Sequence, residues 1–261
     1  MNGRVEIDFK YWTAEWEKQQ NAHVPNREER FQFMLDELEE MFSGEFTALD
    51  LGCGPGSLSR RLLERFPQAV CVALDYDPVL LFIGKNFEFR DEGRLSFVEA
   101  NLKDASWPEK LPDKKFQAVL STTALHWLPE ESLKKTYEKV SSILGPRGVF
   151  LNGDHLYPES QAPGLTELNA RIRHRKELNA LSDGKAPDWN TWWDNLRKQR
   201  GLEELFRERD RRYPDSDHHD HPVSLERHME FLENAGFKET GVVWQNLDNR
   251  VLIALKSTTP P

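Results

Sequence analysis

The sequence predicts an α/β protein: a mostly parallel sheet finished by an antiparallel hairpin, with a helical insert before the last elements. Three observations predict it. Short apolar runs alternate with amphipathic stretches from residue 46 to residue 152, the cadence of strand–helix–strand units joined by right-handed crossovers. A glycine-rich turn, Gly52-Cys-Gly-Pro-Gly56, links the first apolar run to the first of these helices. Two closing runs, 240–245 and 250–256, are separated by Asn246-Leu-Asp-Asn249, which reads as a hairpin.

The elements follow in order. Phe9, Tyr11, Trp12 and Trp16 precede a break at Pro25, and Asn26 is placed to cap a helix running to about Met41. Phe31, Met34, Leu35 and Leu38 form its apolar stripe. Phe46–Leu51 is the first strand, Ser57 the expected cap of a helix over Leu58–Phe66, and Pro67 its stop. Val70–Asp75 is the second strand, and Asp77-Pro78 opens a helix to about Phe89. The third strand is Leu95–Glu99 and the fourth Phe116–Leu120. A helix from Glu130 to about Leu144 leads through a turn, Gly145-Pro-Arg-Gly148, into a fifth strand at Val149–Asn152. Ser224 caps a helix to Ala235 that Gly236 ends, and the hairpin brings the count to seven strands.

Between these lies an insert of about 65 residues, far beyond an ordinary connection. Leu165, Leu168, Ile172 and Leu181 suggest one amphipathic helix; Trp189, Trp192, Trp193 and Leu196 suggest another. The expected organisation is an N-terminal helical cover (1–45), a cofactor-binding core (46–155), a helical lid or substrate insert (156–222), and a completing helix and hairpin (223–261).

The glycine turn sits where a parallel strand meets a helix N-terminus, a place suited to a nucleotide-like cofactor. A dinucleotide fingerprint would want its third small residue at position 57. Here position 57 is Ser, and the third glycine comes one residue early. Asp50 would repel a pyrophosphate from the strand end, but it suits a sulfonium cofactor carrying an ammonium group. Asp75 ends the next strand, 21 residues past Gly54, where a carboxylate can accept both hydroxyls of a ribose.

Leu49-Asp-Leu-Gly-Cys-Gly-Pro-Gly56 resembles the first motif of class I S-adenosylmethionine (SAM)-dependent methyltransferases. Leu125-His-Trp-Leu128 is similar to a segment of the small-molecule enzymes related to trans-aconitate methyltransferase. The resemblance spans about 46–154 and 224–256, and implies a Rossmann-like seven-stranded fold with SAM as cofactor. It implies a cofactor site made of Asp50, Gly52, Cys53, Gly54, Gly56, Asp75, Tyr76, Asn101, Leu102 and Thr122. The family usually has Asp where Asn101 stands, at the adenine edge; Asn can still donate and accept there. The Asn/Asp-Pro-Pro-Tyr signature of exocyclic-amine methyltransferases is absent after the fourth strand, which speaks against a nucleobase substrate. The insert resembles no named element and would set the acceptor.

Composition narrows the partners. Lys+Arg 35 against Asp+Glu 44, a net charge of −9, argues against broad nucleic-acid binding. Two cysteines, Cys53 and Cys71, suggest no disulfide framework. With no apolar N-terminal signal and no run approaching a membrane span, a cytoplasmic protein acting on a small molecule is expected.

Methyl transfer is an in-line displacement, and much of its acceleration can come from alignment in a site closed to water. A base is required only when the acceptor enters protonated. His126, just past the fourth strand, is the first candidate for base or orienter; packing of the cofactor pocket is its other reading. His155 is the second. Adjacent residues of an extended chain face opposite sides, so Asp154 and His155 are not expected to form a dyad with each other. Tyr11, Trp127 and Trp193 are candidate acceptor contacts, although the insert tryptophans also read as the insert's own core. Arg171, Arg173 and Arg175 read as a solvated face. His218, His219 and His221 have ligand chemistry without a metal-motif spacing, so no metal is assigned. A nicotinamide-dependent oxidoreductase and a non-catalytic SAM-binding partner protein are the alternatives.

Overall fold

A computed structural model describes residues 7–90, 93–113, 115–157, 163–182, 184, 186–214 and 221–258. Seven strands form one sheet in the order β3-β2-β1-β4-β5-β7-β6. They are β1 (Thr47–Leu51), β2 (Val70–Asp75), β3 (Leu95–Glu99), β4 (Phe116–Thr122), β5 (Leu144–His155), β6 (Glu239–Asn246) and β7 (Asn249–Leu255). The first five pair in parallel, and β7 runs antiparallel to both β5 and β6. The strand order reverses direction between β1 and β4, which opens a crevice at their carboxyl ends.

Period-two alternation splits the core into two layers. Leu49, Leu51, Val72 and Leu74 face α5 (Glu130–Ile143) and α9 (Leu225–Asn234), packing with Leu133, Tyr137, Val140, Phe231 and Leu232. Ala48, Cys71, Ala118 and Leu120 face the other way, against Phe31, Met34, Leu35 and Leu38 of α2 (Arg27–Met41) and Leu58 and Leu62 of α3 (Ser57–Arg65). Each fully buried Leu contributes roughly 1.5–3 kcal/mol of transfer free energy. Helix α4 (Pro78–Asn86) starts as the sequence predicts, with the Asp77 carboxylate accepting from the amides of Val79 and Leu80. Ser224 likewise caps α9.

Several local expectations are corrected. Asn26 does not cap α2: it is left-handed at φ 64°, and its side-chain amide donates to Glu29 instead. Gly56, not Ser57, holds the cap position of α3, while the Ser57 hydroxyl donates to Glu17 of α1 (Phe9–His23). Helix α4 ends at Asn86, short of Phe89. The 145–148 turn is absorbed into β5, which starts at Leu144 and runs on to His155. From Phe116↔Leu144 to Ala118↔Val149, β5 advances five residues while β4 advances two, so the glycines accommodate an excursion within the strand.

The insert also departs from expectation. Helix α6 (Pro163–Leu181) has no buried residue among those described, and Leu165 and Leu168 are exposed. Helices α7 (Trp189–Arg197) and α8 (Glu203–Arg212) do pack, but not as a private core. Trp192 and Trp193 join Trp12 and Trp16 of α1 and Val79 and Ile83 of α4 in one cluster. N-terminal cover and insert thus make a single roof beside the crevice. No described helix is long and apolar enough to cross a membrane.

Candidate active site

The crevice is built on the β1–α3 turn. Gly52 has φ +69°, and a Cβ there would stand 2.3 Å from the Cβ of Ala124, on the loop leaving β4. The bare main chain therefore lets the ends of β1 and β4 touch. The amides of Gly52 and Cys53 donate to the Leu74 carbonyl, and the amide of Gly54 donates to Asp75 Oδ2 at 2.7 Å. Asp75 Oδ1 accepts from the amides of Tyr76 and Asp77. Burial pushes the Asp75 carboxyl up to about 6 against the pull of these hydrogen bonds.

Asp50 lies fully buried at the end of β1. Its Oδ2 accepts from the Ser59 hydroxyl at 2.6 Å, while Oδ1 is buried without a hydrogen-bond partner. Burial pushes this carboxyl to about 6, the Ser59 bond opposing and the nearby Asp75 charge adding to the rise. A buried orphan acceptor carries a cost of roughly 1–3 kcal/mol and is the kind of group a ligand cation satisfies. Cys53 is buried with its thiol on the Gly54 carbonyl, and burial raises it well above an ordinary thiol, so it is no nucleophile. Thr122 ends β4 and Leu102 packs partly on the core. Asn101 is half-buried and folds back to accept from the Lys103 amide. Trp16 of the roof lies over the turn, 3.6 Å from where a Gly54 Cβ would be.

On the acceptor side, one pair was not anticipated. His126 Nδ1 is 2.7 Å from Asp154 Oδ1, and the His126 amide donates to Oδ2 of the same carboxylate. The His155 ring faces Asp248 and not Asp154, although the His155 amide donates to Asp154 Oδ1 at 2.8 Å; the Asp154 carboxylate reaches across from β5 to the loop after β4. Burial alone would raise Asp154, but His126, His155 and Arg30 outweigh it and hold the carboxyl well below the usual range.

Arg30 was missed altogether. It is fully buried on α2, where Gly153 lets the helix lie close to β5: a Cβ at Gly153 would meet Arg30 Cδ at 2.9 Å. Its guanidinium donates to the hydroxyls of Thr122 and Thr123 and to Asn249. Thr123 has φ +53°, a strained conformation for a β-branched residue, and it is held by those bonds and by its amide on the Gly153 carbonyl. A buried arginine in the first turn of a helix carries no sequence signal that separates it from a surface charge.

The other candidates fall as follows. The His155 ring stands 3.4 Å from Asp248, which Arg173 of α6 also pairs with, so Arg173 leaves the solvated face proposed for it. Trp127 is 40% exposed beside His126, and Tyr11 is 52% exposed. Trp193 is buried in the roof, with the Arg209 guanidinium 3.7 Å from its ring centroid. His218 and His219 lie outside the described residues; the amide of His221 donates to the His126 carbonyl. Among the described residues no group of three potential metal ligands converges.

Comparison with known proteins bears on the class of domain. Residues 48–148 match the family described as a methyltransferase domain. Over 84 residues, 32% of this chain, it is 40% identical to trans-aconitate 2-methyltransferase of Mycobacterium tuberculosis (strain ATCC 25177 / H37Ra), covering 28% of that protein. Over 156 residues, 58% of this chain, it is 27% identical to malonyl-[acyl-carrier protein] O-methyltransferase 1 of Ilyobacter polytropus, covering 55% of it. The match therefore spans less than a third of the first relative and about half of the second. Among solved structures, the CurJ carbon methyltransferase superposes with a TM-score of 0.60 at 13% identity, over 97% of this chain and 62% of that one; at that identity the likeness is one of fold. The chain thus resembles the class I SAM-dependent methyltransferases, with trans-aconitate methyltransferases among its relatives, and such a domain implies SAM as methyl donor.

Proposed function

We propose that this protein transfers a methyl group from SAM to an oxygen or nitrogen of a small-molecule acceptor, of organic-acid or secondary-metabolite type. The observation that carries the reading is the pairing of a bare glycine turn with two acids of different environment. Asp50 offers a buried, unpartnered oxygen to an ammonium group. Asp75, at the next strand end, would accept from a ribose diol; the Gly54 amide that donates to it supports this role by orienting the carboxylate. Gly52, Gly54 and Gly56 expose main chain between them, with Thr122, Tyr76, Leu102 and Asn101 around the rim. SAM, when bound, supplies an electrophilic methyl; the chain's residues bind, align and exclude water.

His126 serves the acceptor. With Nδ1 donating to the ionised Asp154, proton exchange falls to Nε2, and the carboxylate stabilises the imidazolium formed. A phenol, alcohol or amine could thus be deprotonated as it is methylated, whereas a carboxylate would need only to be oriented. His155 stands with Asp248 and is the lesser candidate. Trp127 and Tyr11 are the aromatic surfaces that an acceptor would meet.

Calorimetry with SAM and with its demethylated product should give micromolar affinity for both, and Asp75→Ala should weaken it strongly. Absence of binding by either compound would reject the proposal. Binding without methylation of any acid, phenol or amine in a broad panel would favour a non-catalytic partner protein instead.

A further inference from the structure

The insert does more than roof the crevice. Its helix α8 buries a single side chain among the described residues, Phe206, yet its last turn sends three polar or aromatic groups onto the end of β2. Arg209, Arg212 and Tyr213, at i, i+3 and i+4, share one face. Arg209 Nε donates to Asp77 Oδ2 at 2.7 Å. Arg212 donates to the Tyr76 carbonyl and to Glu99 Oε1, each at 2.7 Å, and its guanidinium lies 4.6 Å from the Tyr76 ring centroid. Tyr213 meets Tyr76 edge-on, with ring centroids 5.8 Å apart. Its hydroxyl is raised by burial and by the charges of Asp75 and Asp77.

These contacts sort the acids of the crevice mouth. Asp77 and Glu99 each have an arginine from α8, whereas Asp75 is held by three main-chain amides and forms no ion pair among the described residues. The acid with no cation is the one placed for a neutral diol. Beside it stand two phenol rings and a guanidinium plane, surfaces on which a flat purine stacks well.

We propose that the last turn of α8 is the outer wall of the adenosine half of the cofactor site, with Arg212 and Tyr213 as binding residues. The inference rests on the proposed methyl-donor function. It makes the insert, and not only the sheet edge, part of the cofactor site, so cofactor binding and docking of α8 reinforce each other.

Titration calorimetry with S-adenosylhomocysteine tests it, together with thermal unfolding of each ligand-free variant. Arg212→Ala and Tyr213→Ala should each bind about tenfold more weakly than the unaltered chain, the scale of one lost charge-assisted or stacking contact. Arg207→Ala, on an exposed α8 residue paired with Glu204, should bind as the unaltered chain does. Should an alanine variant unfold early, Arg212→Lys, which keeps the charge and loses the planar fork, should still bind several-fold more weakly. If the chain binds the ligand and the folded Arg212 and Tyr213 variants bind equally or more tightly, the wall is refuted while the methyl-donor reading stands. If the unaltered chain does not bind, the function itself fails first.

Discussion

His126 and Asp154 are joined twice, by the ring Nδ1 at 2.7 Å from one carboxylate oxygen and by the main-chain amide at 3.2 Å from the other. One buried acid therefore sets both the tautomer of the histidine and the path of the loop that carries it. Asp154→Asn should leave S-adenosylhomocysteine affinity within about twofold and lower turnover of a protonated acceptor by roughly 10²–10⁴-fold, the range of general-base catalysis. Turnover of a carboxylate acceptor should fall much less. Comparable losses for both acceptor types would show that the pair positions the loop and carries no proton.

Asp50 gives a test with the opposite sign for stability. Its carboxyl is raised to about 6 by burial, so ionisation disfavours the folded chain at neutral pH. Asp50→Asn should therefore stabilise the ligand-free protein at pH 7.5 by about 2 kcal/mol. That gain should shrink as pH falls below about 6 and vanish near the ordinary Asp value of about 4. Cofactor affinity should fall in the same variant. Urea unfolding at several pH values reads the first effect and calorimetry the second.

Glu17 behaves the other way. Burial would raise it, but Arg27, Arg61 and Ser57 prevail and bring it down to about 2. A depressed carboxyl stabilises the fold above its unfolded value and loses that contribution as pH falls through the folded one. Glu17→Gln should cost about 2–3 kcal/mol at pH 7. It should cost progressively less below about pH 4.5 and little near pH 2. A pH-independent loss would assign the effect to packing of α1.

Gly52 and Ala124 form a steric pair. Gly52→Ala adds a Cβ 2.3 Å from the Ala124 Cβ at a backbone φ of +69°, and should destabilise by about 3 kcal/mol or more. Ala124→Gly in the same chain should recover the steric part and leave about 1 kcal/mol of left-handed strain. Strict additivity in this double-mutant cycle would show that the two loops do not touch.

Local pattern determined a great deal of this protein. The apolar runs placed all seven strands, and the final hairpin was legible in Asn246–Asn249 because turn chemistry is local. The glycine spacing and the acids at 50 and 75 were readable because a strand–turn–helix unit brings its own residues together within a few positions. What lay beyond reach depended on contacts between distant segments. In the sequence Asp154 reads only against His155 because strand alternation describes neighbours in the chain, not the loop that β4 brings alongside β5. Arg30 looked like any helix charge until Gly153 admitted it beneath Thr122 and Thr123. Arg173 of the insert looked solvated, and the insert tryptophans looked self-sufficient, because nothing local says where a 65-residue insert returns to the sheet. The sequence by itself determined the sheet, the turn and its acids, through periodicity and backbone sterics. Only the tertiary structure decided which side chains oppose one another across the crevice, since those pairings arise from packing of elements far apart in the chain.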